Sequence, residues 1–280
     1  MRCIHEAKLH SHNTMITLTY SDGNLPKFGS LRKRDFQLFM KRLRKHARKR
    51  LRVYPCGEYG ERFKRPHYHA CIFGYDFPDK TPVRVTVDGT HYTSDILSKI
   101  WGKGRVECTD VNFKTAAYVA RYILKKKTGK AALGYTVFDK KTGEILGERE
   151  AEFSSLMSRK PGIGREWLEQ YRRDVYPYGH VIINGKSCQP PKYYDNVHEL
   201  LYPDEIKKLK KTRLVKISKV NNTTIRLAAR EKLQKLKLKQ LKRSYEDENF
   251  CDLRQQGKSL HEAHFFQNNR RISKKFHGRS

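Results

Sequence analysis

Along residues 14–20, TMITLTY, apolar and polar side chains alternate, with Met15, Ile16, Leu18 and Tyr20 among threonines. A period of two predicts a β-strand, and the cluster SDGNLP behind it predicts a turn. From 31 to 50 the period changes: Leu31, Phe36, Phe39, Met40 and Leu43 recur along one helical face, and the other face is rich in Lys and Arg. LRVYPCGEYG (51–60) then reads as a second strand running into a turn, and HYHACIFG as a third, closed by Gly74. Residues 75–92 read as a loop. The spacing predicts a short helix over TSDILSKIW, a fourth strand over GRVECTDV (104–111) and a helix over KTAAYVARYILKKK (114–127). That helix holds alanines and no Pro or Gly, and its C-terminal lysines complement the helix dipole.

Beyond about 128 the pattern weakens. YTVFDKKTGEILGERE is expected to form a hairpin turning at KKTG, GIGREWLEQYRRDVY a short helix after a glycine-rich entry, and PYGHVIINGKSCQPPKYYD a second hairpin turning at NGK. From about 203 the chain is Lys, Arg and Leu with few acids and is expected to be helical in part; its end, from about 255, is expected to be mobile. No internal repeat is visible.

Charge narrows the class. Sixty Lys and Arg against 29 Asp and Glu leave +31. Such a balance points to a polyanionic partner, because Lys and Arg release counterions condensed on phosphates. Nucleic acid is the favoured partner. A membrane is not: no apolar run approaches the roughly 20 residues that cross a bilayer, and MRCIHEAKLH has no signal-peptide core. A soluble, intracellular protein is expected. The six cysteines form no C-x-x-C pair, which suits reduced thiols rather than disulfides or structural zinc.

Two features carry candidate chemistry. His67 and His69 alternate on the third strand and so share a face, a natural pair of ligands for a divalent ion. Glu58 ends the preceding strand and faces them if the two strands pair; Glu61 competes for the same role. Two histidines and a carboxylate with open positions suit Mg²⁺ or Mn²⁺ acting on a phosphate oxygen. The second feature is YVARYILKK: Tyr118 and Tyr122 stand one helical turn apart. Aromatics at that spacing are commonly core, but Ala117, Val119, Ala120, Ile123 and Leu124 already supply core candidates, and Arg121, Lys125, Lys126 and Lys127 crowd the tyrosines. Nearby cations favour an ionised phenol, which can attack a phosphodiester and hold it covalently.

The order ITLTY, PHYHACIFG, YVARYILKK resembles the HUH-type endonucleases that initiate rolling-circle replication. The tyrosines separated by three residues resemble the two-tyrosine group, in particular the replication initiators of microviruses, the gokushovirus-like single-stranded DNA phages. The likeness covers about residues 1–195. It implies an α+β fold, a central antiparallel sheet with flanking helices related to RNA-recognition-motif folds, with the helices on one side. It implies an endonuclease domain at 1–195 and a basic, partly helical or disordered region at 196–280. His67 and His69 match the metal-binding histidines, Glu58 the usual place of a third ligand, Tyr118 and Tyr122 the nucleophiles, and Lys125 a lysine that positions phosphate. The ITLTY strand matches a motif that is mainly structural and contacts DNA.

What the resemblance implies is a metal-dependent enzyme of the host bacterial cytoplasm that nicks and rejoins single-stranded DNA at a phage origin through a 5′-phosphotyrosine. With no G-x-x-x-x-G-K-[ST] pattern, strand separation is expected from a host helicase, with a host polymerase extending the nick. The rival readings are an HUH relaxase or transposase, and a non-catalytic protein that coats single strands.

Overall fold

The structure, a computed structural model, describes residues 1–60, 63–86, 89–121, 134–139, 141–153, 156–218 and 222–245. At its centre β1 (Asn13–Thr19), β2 (Arg52–Tyr59), β3 (Pro66–Phe73), β4 (Thr81–Thr86), β5 (Gly89–Thr93) and β6 (Val106–Asp110) form one antiparallel sheet in the order β2-β3-β1-β6-β5-β4. The class is α+β, as expected. Strand period two sends Ile16, Leu18, Tyr68, Ala70 and Ile72 to one face, all fully buried. There α2 (Lys33–Ala47) lays down Phe36, Phe39, Met40 and Leu43, and α3 (Asp95–Trp101) adds Leu97, Ile100 and Trp101. Ser94 caps α3 by accepting from the Leu97 N–H at 3.0 Å. Polar contacts within this apolar layer fix where α2 begins. The Tyr20 hydroxyl donates to Asp35 at 2.7 Å and meets the Tyr68 hydroxyl at 2.8 Å, which accepts from the Arg32 N–H at 2.8 Å. The basic residues of α2 line its exposed side.

The opposite face carries α1 (Arg2–Ala7) and α4 (Phe113–Arg121), packed through Cys3, Ala116 and Val119 on Met15, Cys56, Cys71 and Phe73. Helices thus flank both faces of the sheet, where the resemblance implied one side. The stretch 75–92, expected as a loop, contains β4 and β5. Their side chains are half-buried or exposed, so no apolar alternation announces them, and Pro82 interrupts the register.

The outer edge of β2 is closed by a later part of the chain. Gly57 and Phe153 exchange backbone hydrogen bonds at 2.8 and 3.1 Å, and the Ser158 N–H donates to Val53 at 2.9 Å. A Cβ on Gly57 would meet the Phe153 ring at 2.5 Å, so only glycine lets that ring lie flush on the strand. The two expected hairpins form β7 (Thr136–Phe138) with β8 (Ile145–Glu148) and β9 (Val181–Ile183) with β10 (Lys186–Cys188).

A second, smaller core joins α5 (Arg165–Val175), α6 (Lys192–Leu201) and the start of α7 (Pro203–Ser218) through Trp167, Leu168, Val175, Tyr194, Val197, Ile206 and Leu209. Helix α1 bridges it to the sheet. His5 stacks on Trp167 at 3.6 Å and meets the Tyr194 hydroxyl at 2.9 Å; the buried Glu6 pairs with Arg52 of β2 and accepts from the Gly164 N–H at 2.5 Å. The chain divides into two compact units, Met1–Lys210 and Lys211–Ser280. In the second unit α8 (Thr224–Tyr245) is exposed over 224–237. The chain end expected to be mobile lies outside the described residues. Among the described residues no helix is long and apolar enough to cross a membrane.

Candidate active site

The site grows out of strand register. In the β2–β3 pair Glu58 stands opposite His67 and Cys56 opposite His69; in the β1–β3 pair Thr19 stands opposite His67 and Thr17 opposite His69. Directly opposed residues share a face. The two imidazoles, the carboxylate and the two hydroxyls therefore lie together on the α4 side of the sheet. Glu58 is 3% exposed and His69 4%, and their Oε1 and Nε2 atoms are 3.2 Å apart. The His67 and His69 ring centroids are 6.3 Å apart. At the far side of each ring, Nδ1 of His69 meets Thr17 Oγ1 at 3.0 Å and Nδ1 of His67 meets Thr19 Oγ1 at 3.0 Å. Gly60 leaves space at His67: a Cβ there would sit 2.9 Å from Nε2.

Helix α4 brings Tyr118 onto the pair. Its ring stands edge-to-face on His69, with centroids 5.1 Å apart and planes at 85°. Ala116 and Val119 are the core positions of this helix; Ala117 is half-buried and Ala120 exposed, because the face they occupy turns away from the sheet. Tyr118 is half-buried. Tyr122, Lys125 and the alternative carboxylate Glu61 lie outside the described residues, as do Ile123 and Leu124.

The donor set has the right chemistry for a divalent cation: a buried carboxylate in contact with one imidazole, a second imidazole alongside, and both Nδ1 atoms engaged elsewhere. Two of the three donors, Glu58 and His69, already meet. Among the described residues no trio of His, Cys, Asp or Glu side chains closes around a single point, so His67 stands beside that pair rather than converged with it.

A charged cluster two strands away was absent from the sequence reading. Thr17 stands opposite Glu107 on β6 as well as His69 on β3. Glu107 accepts from Arg84 of β4 at 2.8 Å and from Arg105, with His91 of β5 at 3.5 Å. Burial works against its carboxylate, but the hydrogen bond with His91 and the charges of Arg84 and Arg105 outweigh it and hold the pKa down at about 2. These residues come from three strands, two of them unanticipated, and no local spacing announces them.

Residues 13–127, which contain this site, match a family of replication-associated proteins typified by ORF2. The chain is similar to replication-associated proteins of phages. It is 32% identical over 217 residues to replication-associated protein VP4 of Bdellovibrio phage phiMH2K, covering 73% of this chain and 64% of that one. It is 29% identical over 211 residues to replication-associated protein ORF2 of Spiroplasma virus 4, covering 69% and 60%. Against replication-associated protein ORF4 of Chlamydia phage 1 it is 25% identical over 209 residues, covering 71% and 49%. The matched part thus spans between about half and just under two thirds of these relatives. No solved structure matches the chain.

Proposed function

We propose that this chain is a site-specific single-stranded DNA endonuclease and strand transferase that starts and ends phage rolling-circle replication. The observation that carries the reading is Tyr118 edge-to-face on His69, whose Nε2 meets the buried Glu58. A potential nucleophile and a potential ligand set, read from separate motifs, come together across a helix–sheet contact. The likeness to phage replication-associated proteins supports the same role.

His67, His69 and Glu58 would hold Mg²⁺ or Mn²⁺, which when bound would polarise the scissile phosphate. The phenol oxygen of one tyrosine attacks phosphorus; the P–O3′ bond breaks, the departing oxygen takes up a proton, and the 5′ phosphate stays on the tyrosine. That phosphodiester keeps the energy of the broken bond. After one genome length the second tyrosine cuts the regenerated origin. The 3′-hydroxyl so released attacks the first phosphotyrosine, frees that phenol and closes a circle. Lys125 would steady the phosphate. The exposed basic faces of α2 and α8 would hold DNA phosphates, with a host helicase and polymerase acting alongside in the bacterial cytoplasm.

The test is incubation with a single-stranded origin oligonucleotide and Mn²⁺, read on a denaturing gel. The expected result is a covalent protein–DNA band that is lost with Tyr118→Phe/Tyr122→Phe. A salt-sensitive mobility shift on a native gel with no covalent band would instead make the chain a single-strand-binding protein.

A further inference from the structure

The chemistry above gives β1 no part, yet two of its side chains touch the candidate ligands directly. Thr17 and Thr19 are registered one-to-one against His69 and His67, and each Oγ1 lies 3.0 Å from its partner's Nδ1. The intervening Leu18 is fully buried on the other face, so period two fixes which side the hydroxyls take. A threonine is stiff at χ1, and a strand in mid-sheet does not drift; the hydroxyl is therefore a fixed point for the ring. In an imidazole the two nitrogens lie on opposite sides of the ring. Tethering Nδ1 toward β1 turns Nε2 the other way, toward β2, where Glu58 meets that atom of His69 and Gly60 leaves room at that of His67.

We propose that Thr17 and Thr19 are positioning residues that hold both imidazoles with Nε2 facing the cation site. This rests on the metal reading given above. The choice of hydroxyl matters. A carboxylate or carbonyl partner only accepts, whereas a hydroxyl donates or accepts. The same contact therefore persists whichever ring nitrogen carries the proton, and the ring keeps its orientation before and after a cation arrives. Partners of this kind on ligand histidines commonly carry a 10–100-fold share of metal affinity. The TLT triplet of the strand motif acquires a specific role: a threonine for each histidine, with a leucine between them for the core.

The test uses the full chain freed of metal. Thr17→Val and Thr19→Val keep the branched shape and strand preference and remove only the hydroxyl; Thr17→Ser and Thr19→Ser restore it. Mn²⁺ affinity is measured by calorimetry, and oligonucleotide affinity in chelator alongside it. The valine variants are expected to bind Mn²⁺ about 10–100-fold more weakly, the serine variants close to wild type, and all four to bind DNA unchanged without metal. Wild-type Mn²⁺ affinity in both folded valine variants overturns the positioning role and leaves the metal reading standing. Absence of Mn²⁺ binding by the wild-type chain overturns both. Independently of any variant, the nitrogen spectrum of the Zn²⁺-loaded chain is expected to show both rings bound through Nε2 with a proton on Nδ1; binding through Nδ1 overturns the proposal.

Discussion

Gly60→Ala asks where the free nitrogen of His67 points. A Cβ on Gly60 would lie 2.9 Å from His67 Nε2 and 3.3 Å from its Cδ2. Non-bonded heavy atoms settle at about 3.5–4.0 Å, so something must yield by roughly 0.6 Å. Gly60 is outside the left-handed region, so alanine brings no backbone strain of that kind. The ring is tethered at Thr19, and moving it forfeits a hydrogen bond worth about 1 kcal/mol. Metal–ligand distances tolerate only about 0.2 Å, a third of the displacement required. The expected result is a large loss of metal affinity, about 10–100-fold, for a small loss of stability, about 1 kcal/mol or roughly 2–4 °C in Tm. Calorimetric titration of Mn²⁺ into the metal-free chain reads the first, and thermal unfolding in chelator the second. Unchanged Mn²⁺ affinity in a folded Gly60→Ala chain would refute the placement of His67 Nε2 beside the cation.

Further expectations are as specific. His67→Ala and His69→Ala are expected to abolish nicking in Mn²⁺ while keeping most oligonucleotide affinity, since phosphate contacts dominate binding; a band-shift and a nicking assay on the same preparations separate the two. Tyr118→Phe is expected to leave single cleavage through Tyr122 but block circle release, and peptide mapping of the wild-type adduct is expected to find label on both tyrosines. Glu107→Gln is expected to lose on the order of 2–3 kcal/mol at pH 7. The Glu107 pKa is depressed from 4.5 to about 2, so its contribution is full above about pH 5 and is lost as pH falls through 2; urea unfolding of variant and wild type is expected to converge there. Shortening the chain to residues 1–210 is expected to weaken DNA binding and flatten its salt dependence while cleavage at saturating DNA survives, read by titration at several salt concentrations. Cutting at 203 instead would also remove Ile206 and Leu209, which are buried in the second core.

Legibility followed burial. Strands β1, β2, β3 and β6 were readable because each buries at least one face, and α2 because five core side chains repeat along it. Strands β4 and β5 were not, because they extend the sheet beyond its packed centre with half-buried or exposed side chains. At six residues α1 is too short for a helical period to show, and its role rests on Glu6 and His5 meeting partners more than 150 residues away. The same division runs through the site. Placing His67 and His69 on one face needs only alternation within a strand, and Glu58 only a hairpin. The pairing of Thr17 with His69, and of Glu107 with Arg84, depends on which strands become neighbours and in what register, and local pattern is blind to both.

The closure of the β2 edge bears on when the protein becomes competent during its own synthesis. Every residue assigned to the chemistry lies before 126, but the strand that carries Glu58 is sealed on its outer side by the backbone of Phe153 and Ser158, and inside by Arg52 on Glu6, which also waits for Gly164. A nascent chain that has just delivered both tyrosines still has a bare strand beside the histidines. Only some forty residues later does the returning segment lock Glu58 in place. A chain capable of cutting DNA would thus be assembled safe and armed late, and products of interrupted translation would carry the whole set of reactive groups without the frame that aligns them.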